Sequence, residues 1–581
     1  MTTSTRPPAA FERSAATSQD QSDRSLDECF ICEQTLWLSF FFDALLHDQE
    51  EDDRFGQLTN LAKMFYAFKP SRKDLGRYRF YYEGLGKSLH PTAVSETAAA
   101  ARDAIKRLEK GAEKKVKDEA KKIVTEKAKE KVGMESKPWA FKPRDILKII
   151  LQKIAGATIE HIASLRDDPQ IASTFNTGVQ ARIDKALLNF DNAIAEQELE
   201  VTTVNIAVFG ADRGGSIARA FVNELIARKA TPNEAGGWSV ETPRGKARLR
   251  IRFVGLFDCV AHVVPDSSMR KAIDFLGKRI GAVFLSMLGP SIRSDFKLTL
   301  PQGVEKVVHL AAGMELRPTR VLDTVRDSAC AYIERLYPGS QLDVVGGLAP
   351  MERGRSNQLS RVPLQGMLDE AFSAGVPVYS LDQLKVVNAR LHDDQLLLTD
   401  QVSLPEGLGQ RSVRELSLAY RRAAGRHADI KEELLGFQKQ LISALRIQHE
   451  TAPTASSTEA ATSATFLRRQ PAYLDTSMKT LLAAWDAPDI TPEAMALYAH
   501  LFNDAHRDWL DQWMPTDNGI HPLFRVRLVS GLESQVDKVT KQATEPVKKK
   551  VAEYNAPEAV QRRQWDREAA EYRRAVPPLP R

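Results

Sequence analysis

What the sequence lacks narrows the field first. No stretch approaches the roughly 18 consecutive apolar residues that a membrane-spanning helix needs. The opening "MTTSTRPPAAFERSAATSQDQSDRS" has no basic segment followed by an apolar one, so no Sec signal peptide is expected and the chain is expected to fold in the cytosol. Four cysteines, Cys29, Cys32, Cys259 and Cys330, are too few for a disulfide framework. Cys29 and Cys32 form a lone C-x-x-C pair without a second pair at zinc spacing, so no metal site is expected. Neither a P-loop, an H-E-x-x-H nor a G-x-G-x-x-G stands between a strand and a helix, and no cofactor is expected. A net charge of +5 over 581 residues is small, so no nucleic-acid partner is expected either.

What is present reads as a large α/β protein. Residues 1–27 are rich in Ser, Thr, Pro and Asp and read as a disordered tail. A core is expected over 28–449. Within it "LWLSFFFDALLHD" reads as a buried strand ending at Asp43, and "RYRFYYEGLG" (77–86) as a second strand. Residues 97–132 form a charged helical insertion; from 101 to 132 it carries twelve Lys/Arg and seven Asp/Glu. Such a helix is either a solvated projection or a basic arm for anionic lipid. Helical patterns follow at 143–166 and 177–198, then strands ending near Gly210 and Asp258 and another over 304–318, with "LDVVGG" (342–347) read as a turn. A Ser/Thr/Ala linker at 450–465 precedes a helical segment over 466–535 and a charged helical tail over 536–581. Strands alternating with helices predict a mostly parallel sheet covered on both faces.

The stretch "VTTVNIAVFGADRGGSIARAFVNEL" (201–225) concentrates the chemistry. A β-rich run ends at Gly210, a helix starts within about four residues, and Asp212 stands between Gly210 and Gly214. That is the frame of a nucleophile elbow, G-x-S-x-G, with aspartate at the serine position. A carboxylate has no proton to give a histidine base and would repel a nascent oxyanion. It can attack an alkyl carbon, however, and the six residues "GADRGG" resemble the elbow of fluoroacetate dehalogenases. Alternatively, Asp212 is a small polar residue suited to capping the helix.

A longer resemblance runs from about residue 36 to 510. "FFDALLHD", "LTNLAKM", "YYEGLG", the elbow and its flanking helices, "FVGLFDCVAH", "VEKVVHLAAGMELRP" and "PGSQLDVVGGL" follow in the order of motifs of the type VI secretion phospholipase effectors (Tle-type lipases), whose elbow is G-F-S-R-G-A. The resemblance implies an α/β-hydrolase-like fold: a mostly parallel sheet, helices on both faces and large helical insertions. It also implies passage through the type VI system, which needs no signal peptide.

The departures from that family's pattern fall on its chemistry. Its serine is Asp212 here, and its triad acid position is kept as Asp258. Its histidine base aligns with Gln341, its late histidine with Asn503, and its first-loop glycines and asparagine with Ala44, Leu45, Leu46 and His47. A Ser-His-Asp mechanism needs its parts together. The expectation is therefore a pseudoenzyme acting by protein or membrane interaction. The resemblance points to the secretion apparatus, an immunity or adaptor protein, or an anionic membrane surface as partner. Two active readings stay open: a phospholipase or esterase with a non-standard catalytic set, and an Asp-nucleophile hydrolase of the dehalogenase or epoxide-hydrolase kind. His309, read as ending its strand, and His262 are the histidines that could rescue catalysis, against a core role for the former. Ser216 reads as a helix-surface or first-turn hydroxyl, and Asp343 as a turn-stabilising side chain. A vestigial site should lack a histidine at Asp212 or be filled by Leu45 and Leu46.

Overall fold

The computed structural model describes residues 33–89, 176–233, 236–261, 292–315, 320–352, 356–404, 407–451 and 491–501, with isolated positions at 167, 169, 172, 527, 529, 556, 558, 561 and 562. Residues 450 and 451 end a helix rather than open a linker. The expected tail at 1–27, the insertion at 97–132, the helix at 143–166 and residues 452–465 of the linker lie outside the described residues. So do most of 466–581, Cys29, Cys32, His262 and Asn503.

The chain begins with β1 (Glu33–Phe42), α1 (Gln49–Phe55), α2 (Asn60–Ala67) and β2 (Arg77–Tyr82). It continues through α3 (Val179–Ala195), β3 (Glu200–Ala211), α4 (Arg213–Lys229), β4 (Ala230–Pro232), β5 (Trp238–Thr242), β6 (Gly245–Phe257) and α5 (Ile292–Asp295). Then come β7 (Val307–Ala312), β8 (Tyr332–Tyr337), α6 (Gln341–Val345), α7 (Arg361–Ser373), α8 (Leu381–Val387), β9 (Gln401–Ser403), β10 (Gln410–Ser412), α9 (Val413–Ala424), α10 (Ile430–Thr451) and α11 (Pro492–Leu501).

Six strands run parallel in the order β2-β1-β3-β6-β7-β8. The far edge of β6 is shared. Its first half pairs antiparallel with β5 (Val240 with Ala247), its last four residues pair with β7 (Val254 with Val307), and β4 pairs with β5. The fold is thus α/β with a mainly parallel, mixed sheet. The edge strand β8 carries the adjacent polar residues Glu334 and Arg335, unlike the apolar C-terminal ends of β1, β3 and β6. The stretch read as a turn at 342–347 is instead the short helix α6. Its N-terminus is a capping box in which Asp343 accepts from the Ser340 amide at 2.8 Å and the Ser340 hydroxyl at 3.0 Å.

The C-terminal halves of the central strands are continuously buried because both faces are covered there. Phe41, Phe209 and Phe253 point to one layer with α2, α7, α9 and α10. Phe40, Phe42, Val208 and Leu256 point to the other, with α3 and α4. Phe41 and Phe209 stack with ring centroids 4.9 Å apart, and each buried ring contributes about 1.5–3 kcal/mol. Because the six strands are parallel, their C-terminal ends share one side of the sheet. The chain leaves β1 towards β2 and later leaves β3 towards β6, so the order switches direction between β1 and β3. The crevice beyond such a switch is where open α/β sheets hold ligands.

Candidate functional site

Five strand ends meet at that crevice. β1 delivers Asp43, β3 Asp212 and β6 Asp258; Glu315 follows β7, and Gln341 opens the helix after β8. The frame is set at Asp212, whose backbone lies at φ 53° and ψ −122°. That is a sparsely populated conformation for a residue with a side chain, and such strain collects at functional turns. Neighbours hold it there: the Asp212 amide donates to Phe257 O at 2.8 Å, and its carbonyl accepts from Val260 N at 3.1 Å. A Cβ on Gly210 would collide with the backbone of Gly214 and Gly215, and one on Gly214 with that of Phe42 and Asp43. The sharp strand-to-helix turn therefore needs both glycines.

Asp212 stands at the N-cap position of α4, but its side chain caps nothing. The carboxylate turns away from the helix and is almost wholly buried. Oδ1 accepts from Arg320 Nη1 at 2.8 Å and from Gln341 Nε2 at 2.7 Å. Oδ2 accepts from the backbone amide of Leu45 at 3.3 Å. Burial pushes the carboxyl's pKa up, but the neighbouring Arg320 and Arg213 guanidiniums and the two side-chain bonds outweigh it, leaving the group below the usual carboxylate range.

Asp258 also has positive φ, 49°, and no exposed surface. Its Oδ1 accepts from Ala312 N at 2.8 Å and Arg527 Nη1 at 2.5 Å, and its Oδ2 from Arg527 Nη2 at 2.9 Å. Gln341 is thus brought to Asp212, while Asp258 is held by arginine. Among the described residues, no histidine bonds to Asp212, Gln341 or Asp258. His47 turns Nδ1 to Asp52 Oδ2 at 2.7 Å.

His309 lies inside β7 rather than at its end, with no exposed surface. The Cys259 amide donates to its Nε2 at 3.1 Å, which puts the ring proton on Nδ1, facing Glu334 Oε1 at 2.8 Å. Both ring nitrogens are occupied within the core. Ser216 is not on the helix surface: it is fully buried, and its Oγ donates to Val260 O at 3.0 Å. Leu45 packs half-buried against the α3–α4 layer, whereas Leu46 is 40% exposed and does not fill the crevice.

Two participants were not evident in the residue pattern. Arg320 lies two residues beyond the recognisable 304–318 stretch, and Arg527 sits in "LFRVRLVS", which carries no motif. Asp43 was legible only as a strand end. Its Oδ1 accepts from Ala44 N and Thr59 Oγ1, both at 2.7 Å, and its Oδ2 from the Tyr81 hydroxyl. Burial raises its pKa to about 6.

Chemically, the site presents an ionised carboxylate at the elbow apex that accepts from three donors, Arg320 Nη1, Gln341 Nε2 and the Leu45 amide. The Leu45 amide, on the loop after β1, is taken up by Asp212 Oδ2.

No family model matches the chain, and no curated protein matches it. Among solved structures, it is similar to an uncharacterized protein from Pseudomonas aeruginosa, at 16% identity and a TM-score of 0.42, over 93% of this chain and 70% of that one. It is also similar to the Tle1 effector, solved bound to the VgrG spike of the type 6 secretion system, at 15% identity and a TM-score of 0.35, over 70% of this chain and 84% of that one. No described helix is long and apolar enough to cross a membrane.

Proposed function

We propose that this protein is a catalytically silent, α/β-hydrolase-like member of the type VI lipase-effector kind that works by binding. One observation carries the reading: the residue at the elbow apex is a buried carboxylate held by Arg320 and Gln341, with the Leu45 amide on its other oxygen. Ester hydrolysis needs a nucleophile with a proton to lose, a base to take it and a free oxyanion donor. Asp212 replaces the first, Gln341 the second, and Leu45 is engaged. Exposed apolar side chains support a reading by binding. Phe55 and Met351 are each 64% exposed, on segments joined by Gln57 and Glu352 at 3.1 Å. Val386 and Val387 are exposed just before Arg390, which pairs with Asp53 at 3.0 Å. The resemblance in sequence order makes the secretion apparatus, or a cognate adaptor or immunity protein, the partner of choice.

The depressed pKa of Asp212 would also suit a carboxylate nucleophile on an alkyl carbon, but the ester intermediate then needs a base to activate water. The test uses purified protein and its Asp212→Ala variant on mixed phospholipid vesicles, short-chain esters, haloalkanes and epoxides. No turnover is expected in either. Turnover lost in the variant would make Asp212 chemical and end the silent reading; turnover kept in both would move the chemistry to another residue.

A further inference from the structure

The connection from α9 to α10 crosses beside the edge strand β8, and a shallow, solvent-open cleft lies between them. Its lining is rich in charge: Glu334 and Arg335 from β8, Arg421 from α9, Arg426 from the connection and Glu433 from α10.

The two carboxylates are already engaged. Glu334 accepts from His309 Nδ1 at 2.8 Å, from the Thr324 hydroxyl at 2.8 and 2.9 Å, from Val325 N at 3.1 Å and from Arg326 Nε at 2.7 Å. Glu433 accepts from Arg326 Nη2 at 2.9 Å. Arg335 pairs with Glu370 at 2.9 Å, outside the cleft lining.

Arg421 and Arg426 differ. The Arg421 guanidinium lies over the Tyr337 ring, 4.6 Å from its centroid. A cation over a ring is held by the ring's quadrupole, a contact that occupies no oxygen acceptor and leaves N–H donors for a ligand. Neither Arg421 nor Arg426 has a hydrogen-bond or ion-pair partner among the described residues. Burial lowers the Arg421 pKa, and the like charges of Arg335 and Arg426 lower it further, against the opposing influence of Tyr337 and Glu433. A half-buried guanidinium crowded by two others is the environment that an anion relieves.

We propose that the cleft between β8 and the α9–α10 connection binds a phosphate group, with Arg421 as the stacked, oriented donor and Arg426 as the second. Phosphate fits because two guanidinium forks offer paired N–H donors and two positive charges to a tetrahedral dianion. The phosphate can belong to a soluble ester or to a lipid headgroup. The site shares no residue with the Asp212 crevice and stands whether or not that crevice is catalytic.

The test is titration calorimetry of the full chain with inorganic phosphate against chloride at matched ionic strength, and flotation with phosphatidic acid vesicles. It is run on the native protein, Arg426→Gln and Arg421→Lys. Saturable phosphate binding is expected, weakened about tenfold by Arg426→Gln, which removes an exposed side chain without a packing role. Arg421→Lys keeps the charge but loses the fork and is expected to weaken binding similarly. Phosphate binding with no flotation would assign a soluble ligand; flotation that phosphate competes away and Arg426→Gln weakens would assign a headgroup. The proposal is overturned if phosphate does no more than chloride and vesicles do not bind, or if binding is unchanged in both variants.

Discussion

Arg527 grips Asp258 with two N–H donors, at 2.5 and 2.9 Å, and its Nε donates to the carbonyl of Arg320 at 3.1 Å. One guanidinium thus neutralises the carboxylate at the end of β6 and anchors the backbone of the residue that neutralises Asp212. Asp212 and Asp258 belong to one linked array of aspartates and arginines.

Removing Arg527 should therefore be costly. Arg527→Met leaves Asp258 buried without its counter-charge, and breaking a buried pair from one side costs about 3–5 kcal/mol. Urea unfolding should show that loss, and Asp258→Asn added to the same chain should recover part of it. A loss below about 1 kcal/mol would mean that the pair is held open to water, because exposed pairs contribute no more than that.

The crevice's location was legible in the sequence, but its electrostatics were not. Apolar runs such as "LWLSFFF" and "VNIAVFG" announce strands buried on both faces, and a polar residue straight after each marks the strand end. That logic locates Asp43, Asp212 and Asp258 without a structure. It misses β8, "YIERLY", because Glu334 and Arg335 look like surface residues, although Glu334 is buried in a network. Arg320 and Arg527 meet their aspartates across 108 and 269 residues, contacts that tertiary closure creates and no local spacing encodes. His309 was misread at the strand end because an apolar run does not say where its pairing stops.

Glu334 should anchor the sheet edge through acid. Burial alone would raise its pKa, but His309, the Val325 amide and Arg326 lower it from 4.5 to about 2. Its folded pKa is depressed, so the stabilisation is present above pH 4.5 and lost as pH falls through about 2. Glu334→Gln should destabilise the protein by about 3 kcal/mol at neutral pH and flatten the acid limb of stability. Denaturant unfolding across that range reads both. An unchanged acid limb would remove Glu334 as its source.

Asp43 should act with the opposite sign. Burial raises its folded pKa from 3.8 to about 6, so its share of stability is full below 3.8 and declines as pH rises through 6. Asp43→Asn should abolish that decline while retaining an acceptor for Thr59 and the Ala44 amide. At pH 7 the variant should be more stable by up to about 3 kcal/mol, less whatever the amide loses against Tyr81. A variant that falls between pH 4 and 6 as steeply as the native protein would place the titration elsewhere.

Lys63 offers the clearest separation of charge from packing. It lies on α2, 1% exposed, and its ammonium has no hydrogen-bond or ion-pair partner among the described residues. Burial, with repulsion from Arg361 added, lowers its pKa from 10.5 to about 7. The unfolded chain holds the proton more tightly, so the penalty is complete below about pH 7 and fades as pH rises towards 10.5. Stability should climb across that window with a slope of up to about 1.4 kcal/mol per pH unit. Lys63→Met keeps the long unbranched stem and removes the charge, so it should stabilise the protein at pH 7 and erase the slope. Arg361→Met should only narrow the window from its low-pH end, because repulsion is the smaller cause and burial remains. A slope that survives Lys63→Met would assign the titration to another group and leave Lys63 neutral throughout.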